Sequence, residues 1–133
     1  MLYALLCYNS EEMVTAWTAE EDAKVMAALD VVHQELAMAG KLGPAARLTG
    51  TKVGKTLWKG SNLVTDGPYA ETKEQMLGFY LVDVADMDEA LEIARRLGEV
   101  NPGPGGYEVR PLSLFVPGAW VEPAQAHEPA PAE

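Results

Sequence analysis

The stretch LGFYLVDVADMDEALEIARRLG, Leu77 to Gly98, decides the fold. Its opening run, Leu77 to Val84, reads as a strand with bulk on both faces: Leu77, Phe79 and Leu81 alternate with Tyr80 and Val82. Asp86 then offers a helix cap, with Glu89 at the capping-box position. Met87, Ala90, Leu91, Ala94 and Leu97 recur at helical spacing and predict the inner face of an amphipathic helix. Arg95 and Arg96 suit the negative end of that helix, and Gly98 is expected to stop it.

The same pattern occurs once more, near the N-terminus. Leu2 to Tyr8 is almost continuously apolar, as a central strand should be. Asn9 to Thr18 reads as a polar connection, and Thr18 with Glu21 forms a second capping box. Val25, Leu29, Val32, Leu36 and Ala39 then make a helical stripe ended by Gly40. Between the two units, Ala45–Leu48, Thr51–Trp58 and Ser61–Thr65 are short β-type runs, with Lys59-Gly60 as a hairpin turn. Asn101 to Gly106 must be a loop, and Tyr107 to Val116 the last strand. Pro111 lies inside that strand and cannot donate to a ladder, which places it at a sheet edge. From Pro117 the chain turns Pro-, Ala- and Glu-rich, so residues 117–133 read as an extended tail.

Strand, helix, β segment, strand, helix, strand predicts an α+β domain over residues 1–116. The expected architecture is a ferredoxin-like split βαβ, one antiparallel sheet with two helices on one face. A sheet apolar on both faces but covered on one needs a second cover. A homodimer packed sheet to sheet would supply it.

Length and composition narrow the partners. The chain has 133 residues, 48% of them apolar, which fits one domain with a real core. Ten Lys and Arg against twenty Asp and Glu give a net charge of -10 and a pI near 4.6. Such a surface predicts no nucleic acid and no membrane partner. Cys7 is the lone cysteine, so no intrachain disulfide forms, and its apolar surroundings predict an inert thiol. Leu2–Tyr8 is too short and lacks the basic flank of a secretory leader, and no run has membrane-spanning length. The expected location is cytoplasmic.

Chemistry concentrates in VTDGPYAETKEQ, Val64 to Gln75. Asp66 has two readings: an Asx-type turn residue before Gly67 and Pro68, or a general base at the mouth of a cleft. Lys73 is near enough in sequence to meet it, although Thr72-x-x-Gln75 also fits a one-turn capping box with solvated charges. Tyr69, Tyr80 and Arg110 are the hydrogen-bonding groups this fold would gather nearby. Arg110 suits a carboxylate ligand, or equally a pairing with Glu108. His33 flanks the apolar stripe of the first helix, as a boundary residue or as a catalytic one. His127 lies in the tail. No His, Cys, Asp and Glu set has metal-ligand spacing, GPGG lacks the helix and Lys of a phosphate loop, and Ser61 has no nucleophile elbow. No metal or cofactor is expected.

TDGPYAETKEQMLGFYLVDVADMDEALEIARRL, followed by YEVRPL, resembles the YCII-related proteins that carry a DGPF motif. The likeness extends to LYALLCY and ELAMAGKL and covers roughly Met1 to Val116. It implies a ferredoxin-like fold, usually a dimer of the α/β-barrel type, an architecture shared with muconolactone isomerases and cofactor-independent monooxygenases. Some members look like enzymes with a His and Asp pair in a cleft, and others are tied to sigma-factor regions. Asp66, Gly67 and Pro68 match the motif, and Tyr69 stands for the usual Phe. Relatives often carry a His one turn before His33, where this chain has Leu29.

Two functions follow. In the first, a dimer cleft binds a small, partly apolar organic ligand for cofactor-free proton transfer. Asp66, with His33, is then catalytic, Lys73 or Arg110 holds an oxyanion or carboxylate, and Tyr69 and Tyr80 orient the ligand. In the second, the chain is a ligand sensor or a regulatory interaction module without turnover.

Overall fold

The computed structural model describes residues 1–119. In chain order the elements are β1 (Leu2–Asn9), α1 (Glu11–Thr15), α2 (Ala19–Met38), β2 (Leu42–Arg47), a 3-10 turn (Thr51–Val53), β3 (Lys55–Trp58), β4 (Leu63–Asp66), β5 (Gln75–Asp83), α3 (Met87–Val100) and β6 (Gly106–Pro111). The main sheet has the order β2-β5-β1-β6 and every pairing is antiparallel. This is the ferredoxin-like α+β arrangement, with α2 and α3 on one face. Strands β3 and β4 form a separate two-stranded hairpin.

Both long helices begin where the sequence says. Thr18 Oγ1 accepts from the Glu21 amide at 3.1 Å while the Glu21 carboxylate accepts from the Thr18 amide at 3.1 Å. Asp86 likewise accepts from the Glu89 amide at 2.9 Å. Their inner faces meet the sheet through Leu29, Val32, Leu36, Ala90, Ile93, Ala94 and Leu97, packed on Tyr3, Leu5, Val82 and Val84. Leu5, Val82 and Leu97 are wholly buried.

Several local expectations change. Ile93, not Leu91, points inward on α3, and Leu91 is 40% exposed. Gly98 does not stop α3, which runs on to Val100: the glycine keeps φ out of the left-handed region and lies beside the Tyr107 ring. Arg95 and Arg96 therefore lie before the last turn and pair with Glu92 and with Glu35 of α2. The connection after Asn9 holds the short helix α1, capped by Ser10 accepting from the Met13 amide at 3.1 Å. Only Lys55–Trp58 of the Thr51–Trp58 run is extended. Thr51 is held in a 3-10 turn by the Glu11 carboxylate, which takes both its amide and its hydroxyl. No helical turn forms over 72–75, where Gln75 already opens β5 and its side chain donates back to the Thr72 carbonyl at 2.9 Å.

Strand β6 is an edge strand, as Pro111 requires, and ends at that proline rather than at Val116. The tail expected over 117–133 lies outside the described residues from 120 onward.

The register assigns every sheet residue to a face. On the side away from the helices, Ala4 lies opposite Leu81 and Arg110, and Leu6 opposite Phe79 and Glu108. On the helix side, Leu5 meets Tyr80 and Val109, and Cys7 meets Gly78 and Tyr107. A β-bulge follows at Cys7/Tyr8. No described helix is long and apolar enough to cross a membrane.

Candidate functional site

Near the bulge the helix layer and the sheet part. Helix α2 packs tightly on the sheet through its C-terminal half, at Leu29, Val32 and Leu36. Its N-terminal half leaves a cavity of about 250 Å³, bounded by Val25 and Met26 above, β1, β2 and β5 below, and Trp17 from the α1–α2 connection. The wall is mainly apolar. Its polar groups are few: His33, Tyr80, Tyr107, Asn101, Asn9 and Cys7, with Asp22 and Arg47 also on the lining.

His33 comes from α2, one position beyond the buried Val32, and so reaches the edge of the helix–sheet interface. Tyr80 comes from β5 on the same face as Val82. His33 Nε2 and the Tyr80 hydroxyl oxygen lie 2.7 Å apart, with ring centroids 5.2 Å apart and planes tilted by 58°. The phenol donates when the ring proton sits on Nδ1 and accepts when it sits on Nε2. Burial lowers the His33 pKa from its ordinary value, partly opposed by the Asp30 carboxylate. Burial also pushes the Tyr80 phenol up to about 12. Both groups are therefore neutral near pH 7 and line the mainly apolar cavity together.

A second polar group closes the far wall. Asn101 Nδ2 donates to the Tyr107 hydroxyl at 3.2 Å and contacts Cys7 Sγ at 3.6 Å. Burial raises both Cys7 and Tyr107 above their ordinary values, so the thiol stays protonated and unreactive. Asn9, buried at the end of β1, anchors the 101–106 loop by donating to the Pro102 carbonyl at 3.1 Å.

These states have a measurable consequence. A phenol whose folded pKa is raised contributes stability that is complete below its ordinary value of 10.0 and is lost as pH rises toward about 12. His33 has the opposite sign of pH dependence: its depressed value contributes stability above the ordinary 6.5, lost as pH falls through the folded value. Tyr80→Phe is expected to remove a late phenolate transition from the alkaline absorbance titration. Loss of a transition near the ordinary tyrosine value instead would show that Tyr80 is not buried as described.

Of the residues singled out in the sequence, His33 and Tyr80 are brought together, and the others are not brought to them. Asp66 ends β4, where its carboxylate pairs with Lys55 directly across the hairpin; the side chain is 84% exposed. The Lys55 ammonium holds the Asp66 pKa below its ordinary value. Gly67 beyond it has φ +90°, its amide donates to the Gly54 carbonyl at 2.9 Å, and its carbonyl accepts from Thr56 Oγ1 at 2.9 Å. The Asp-Gly-Pro segment thus locks the base of the hairpin. Tyr69 lies against Trp58 with centroids 5.1 Å apart. Lys73 lines a shallow groove with Tyr8, Tyr107 and Glu108. Arg110 is on the opposite sheet face, 3.7 Å from Glu108.

Trp17, Asn101 and Tyr107 belong to the cavity and were not singled out. Tyr107 carried a usable signal: with Tyr80 it is one of two phenols on inward strand positions flanking β1. Asn101 carried none, since a loop residue's direction depends on the tertiary fold. Among the described residues no group of three or more His, Cys, Asp or Glu side chains is placed to hold a metal ion.

Fold and site together define a ferredoxin-like α+β domain with a mainly apolar cavity between helix and sheet, walled by a neutral His–Tyr pair. The YCII-related domain matches residues 1–116. The chain is 56% identical over 120 residues to an uncharacterised protein of Rhizobium meliloti (strain 1021), covering 89% of this chain and 97% of that one. It belongs to the YCII-related family.

Proposed function

We propose that this chain binds a small, largely apolar organic molecule in the cavity between α2 and the sheet, and that His33 moves a proton on it. The observation that carries this reading is the 2.7 Å His33–Tyr80 pair on the cavity wall. A neutral imidazole with depressed basicity is a base active near neutral pH, and an adjacent phenol orients a carbonyl or hydroxyl and stabilises an oxyanion. The chemistry this serves is cofactor-free isomerisation or addition–elimination. The open sheet face, with Leu6, Phe79 and Leu81, is the surface a second copy would cover, giving the dimer of barrel type. Asp66, paired with Lys55 at the base of the hairpin, keeps that turn's geometry and stays off the ligand.

The alternative, a sensing or interaction module without turnover, draws support from the exposed Leu57 and Val64, opposite one another on the hairpin. A thermal-shift screen of small cyclic carbonyl and phenolic compounds, followed by solvent-deuterium exchange into each hit, separates the two. Exchange catalysed by wild type and reduced ~10²–10⁴-fold in His33→Gln supports proton transfer. Binding without exchange supports the sensor. No hit, or hits bound equally by wild type, His33→Gln and Tyr80→Phe, contradicts the cavity reading.

A further inference from the structure

Among the described residues the cavity has one cationic side chain on its lining, Arg47, and its place sets the ligand's charge. Arg47 is the last residue of β2, which is an edge strand. Its guanidinium reaches across the mouth of the cavity to α2, with Nη2 3.3 Å from Asp22 Oδ1 and Nη1 3.6 Å from Met26 Sδ. All three residues line the cavity, so the Arg47–Asp22 pair bridges its entrance.

That pair is built to exchange. Both partners are substantially exposed, at 55% and 40% of their side-chain surface, and one nitrogen meets one oxygen. A guanidinium prefers two parallel bonds to a carboxylate, so the single contact with Asp22 leaves most of its fork for an incoming group. An exposed monodentate pair is worth little, so displacing Asp22 costs little.

The interior has the opposite character. His33 and Tyr80 are neutral, Cys7 is protonated, and nothing there compensates a buried charge. A ligand's charge must therefore sit at the mouth and its neutral polar group at the floor. Arg47 lies opposite Gly78 and Ala45 opposite Tyr80, so the backbone positions that carry the cation and the phenol are two residues apart on the strands, roughly 7 Å at 3.3 Å per residue. Gly78 places no side chain in that gap; a Cβ there would lie 2.6 Å from the Ala46 carbonyl oxygen. The volume of about 250 Å³ suits one six-membered ring with its substituents.

We infer that the ligand is a monocarboxylate built on a single ring or an equally compact apolar body, carrying a hydroxyl or carbonyl distal to the acid. Its carboxylate displaces Asp22 from Arg47, and its distal oxygen joins the His33–Tyr80 pair. Arg47 is then the residue that determines specificity for acids. This inference rests on the cavity being the site.

The probes are para-hydroxybenzoate and its neutral amide, para-hydroxybenzamide, titrated into the full chain by calorimetry. Wild type should bind the acid about tenfold more tightly than the amide, the increment of a charge-assisted hydrogen bond. Arg47→Gln should weaken the acid about tenfold and the amide much less. Asp22→Asn should tighten the acid several-fold, since it removes the internal competitor. A purely structural role for the ion pair would move both variants in the same direction for both probes. Tyr80→Phe should weaken both probes. If wild type binds acid and amide equally while Tyr80→Phe still weakens both, the charge inference falls and the cavity reading stands. If neither probe binds wild type, both fall together.

Discussion

Gly105→Ala is expected to lower the free energy of unfolding by about 3 kcal/mol, a combination of left-handed strain and overpacking against backbone. Gly105 has φ +99°, and a Cβ added there would lie 2.3 Å from the Tyr8 carbonyl oxygen. Neither atom can yield cheaply, because Tyr8 is inside β1 at the bulge and the loop is anchored through Asn9. The neighbouring Gly106→Ala is the control: it has ordinary φ and nothing within 4 Å of the new methyl. It should change stability by less than about 0.5 kcal/mol. Chemical denaturation of the two variants side by side checks the pair. Equal midpoints would mean that the 101–106 loop is not seated on β1. The consequence reaches the site, because this loop delivers Asn101 to Tyr107 and Cys7 on the cavity wall.

Leu5→Ala should cost about 3 kcal/mol as well, the usual range for a buried leucine whose surroundings collapse only partly. Leu5 is fully buried on the central strand, opposite Tyr80 on β5 and Val109 on β6. Emptying it removes support from beside Tyr80, so the variant should also loosen the His33 contact and ionise the Tyr80 phenol nearer the ordinary value. Leu57→Ala on the hairpin provides the contrast. That side chain is 59% exposed and its loss should lie within about 0.5 kcal/mol of wild type. A midpoint shift for Leu57→Ala comparable to that for Leu5→Ala would mean that the hairpin is buried in the protein as it exists in solution.

The fold was largely legible because its signals are local and repeated. Two capping boxes, two apolar strands and Pro111 at an edge are each decided within a few residues of chain, and the split βαβ order follows from them. What the sequence could not give was side-chain meeting across elements. Leu91 and Ile93 both fit a helical stripe, and only the direction in which α3 packs chose Ile93. Glu11, read as part of a polar connection, turns out to fix Thr51 some forty residues on.

The site was half legible. His33 and Tyr80 were both candidates, one by its place beside a helical stripe and one as a polar aromatic in a buried strand. Their pairing needed the antiparallel register that sets β5 beneath α2. Asp66 drew attention through its motif, and the motif is accounted for by a left-handed Gly67, a cross-strand Lys55 and two hydrogen bonds at the hairpin base. Such a turn concentrates Asp, Gly and Pro whether or not it touches a ligand. Arg47 stood in no motif at all. It matters through its position at a strand end facing Asp22.

The most direct measurement is an amide chemical-shift map of the labelled full chain titrated with para-hydroxybenzamide, which carries no charge and so tests the cavity alone. The account predicts the largest shifts at His33, Gly78, Tyr80 and Asn101, with Asp66, Gly67 and Tyr69 unmoved. Shifts centred on Asp66 to Tyr69, or on the open sheet face around Leu6 and Arg110, would place the ligand elsewhere and contradict it.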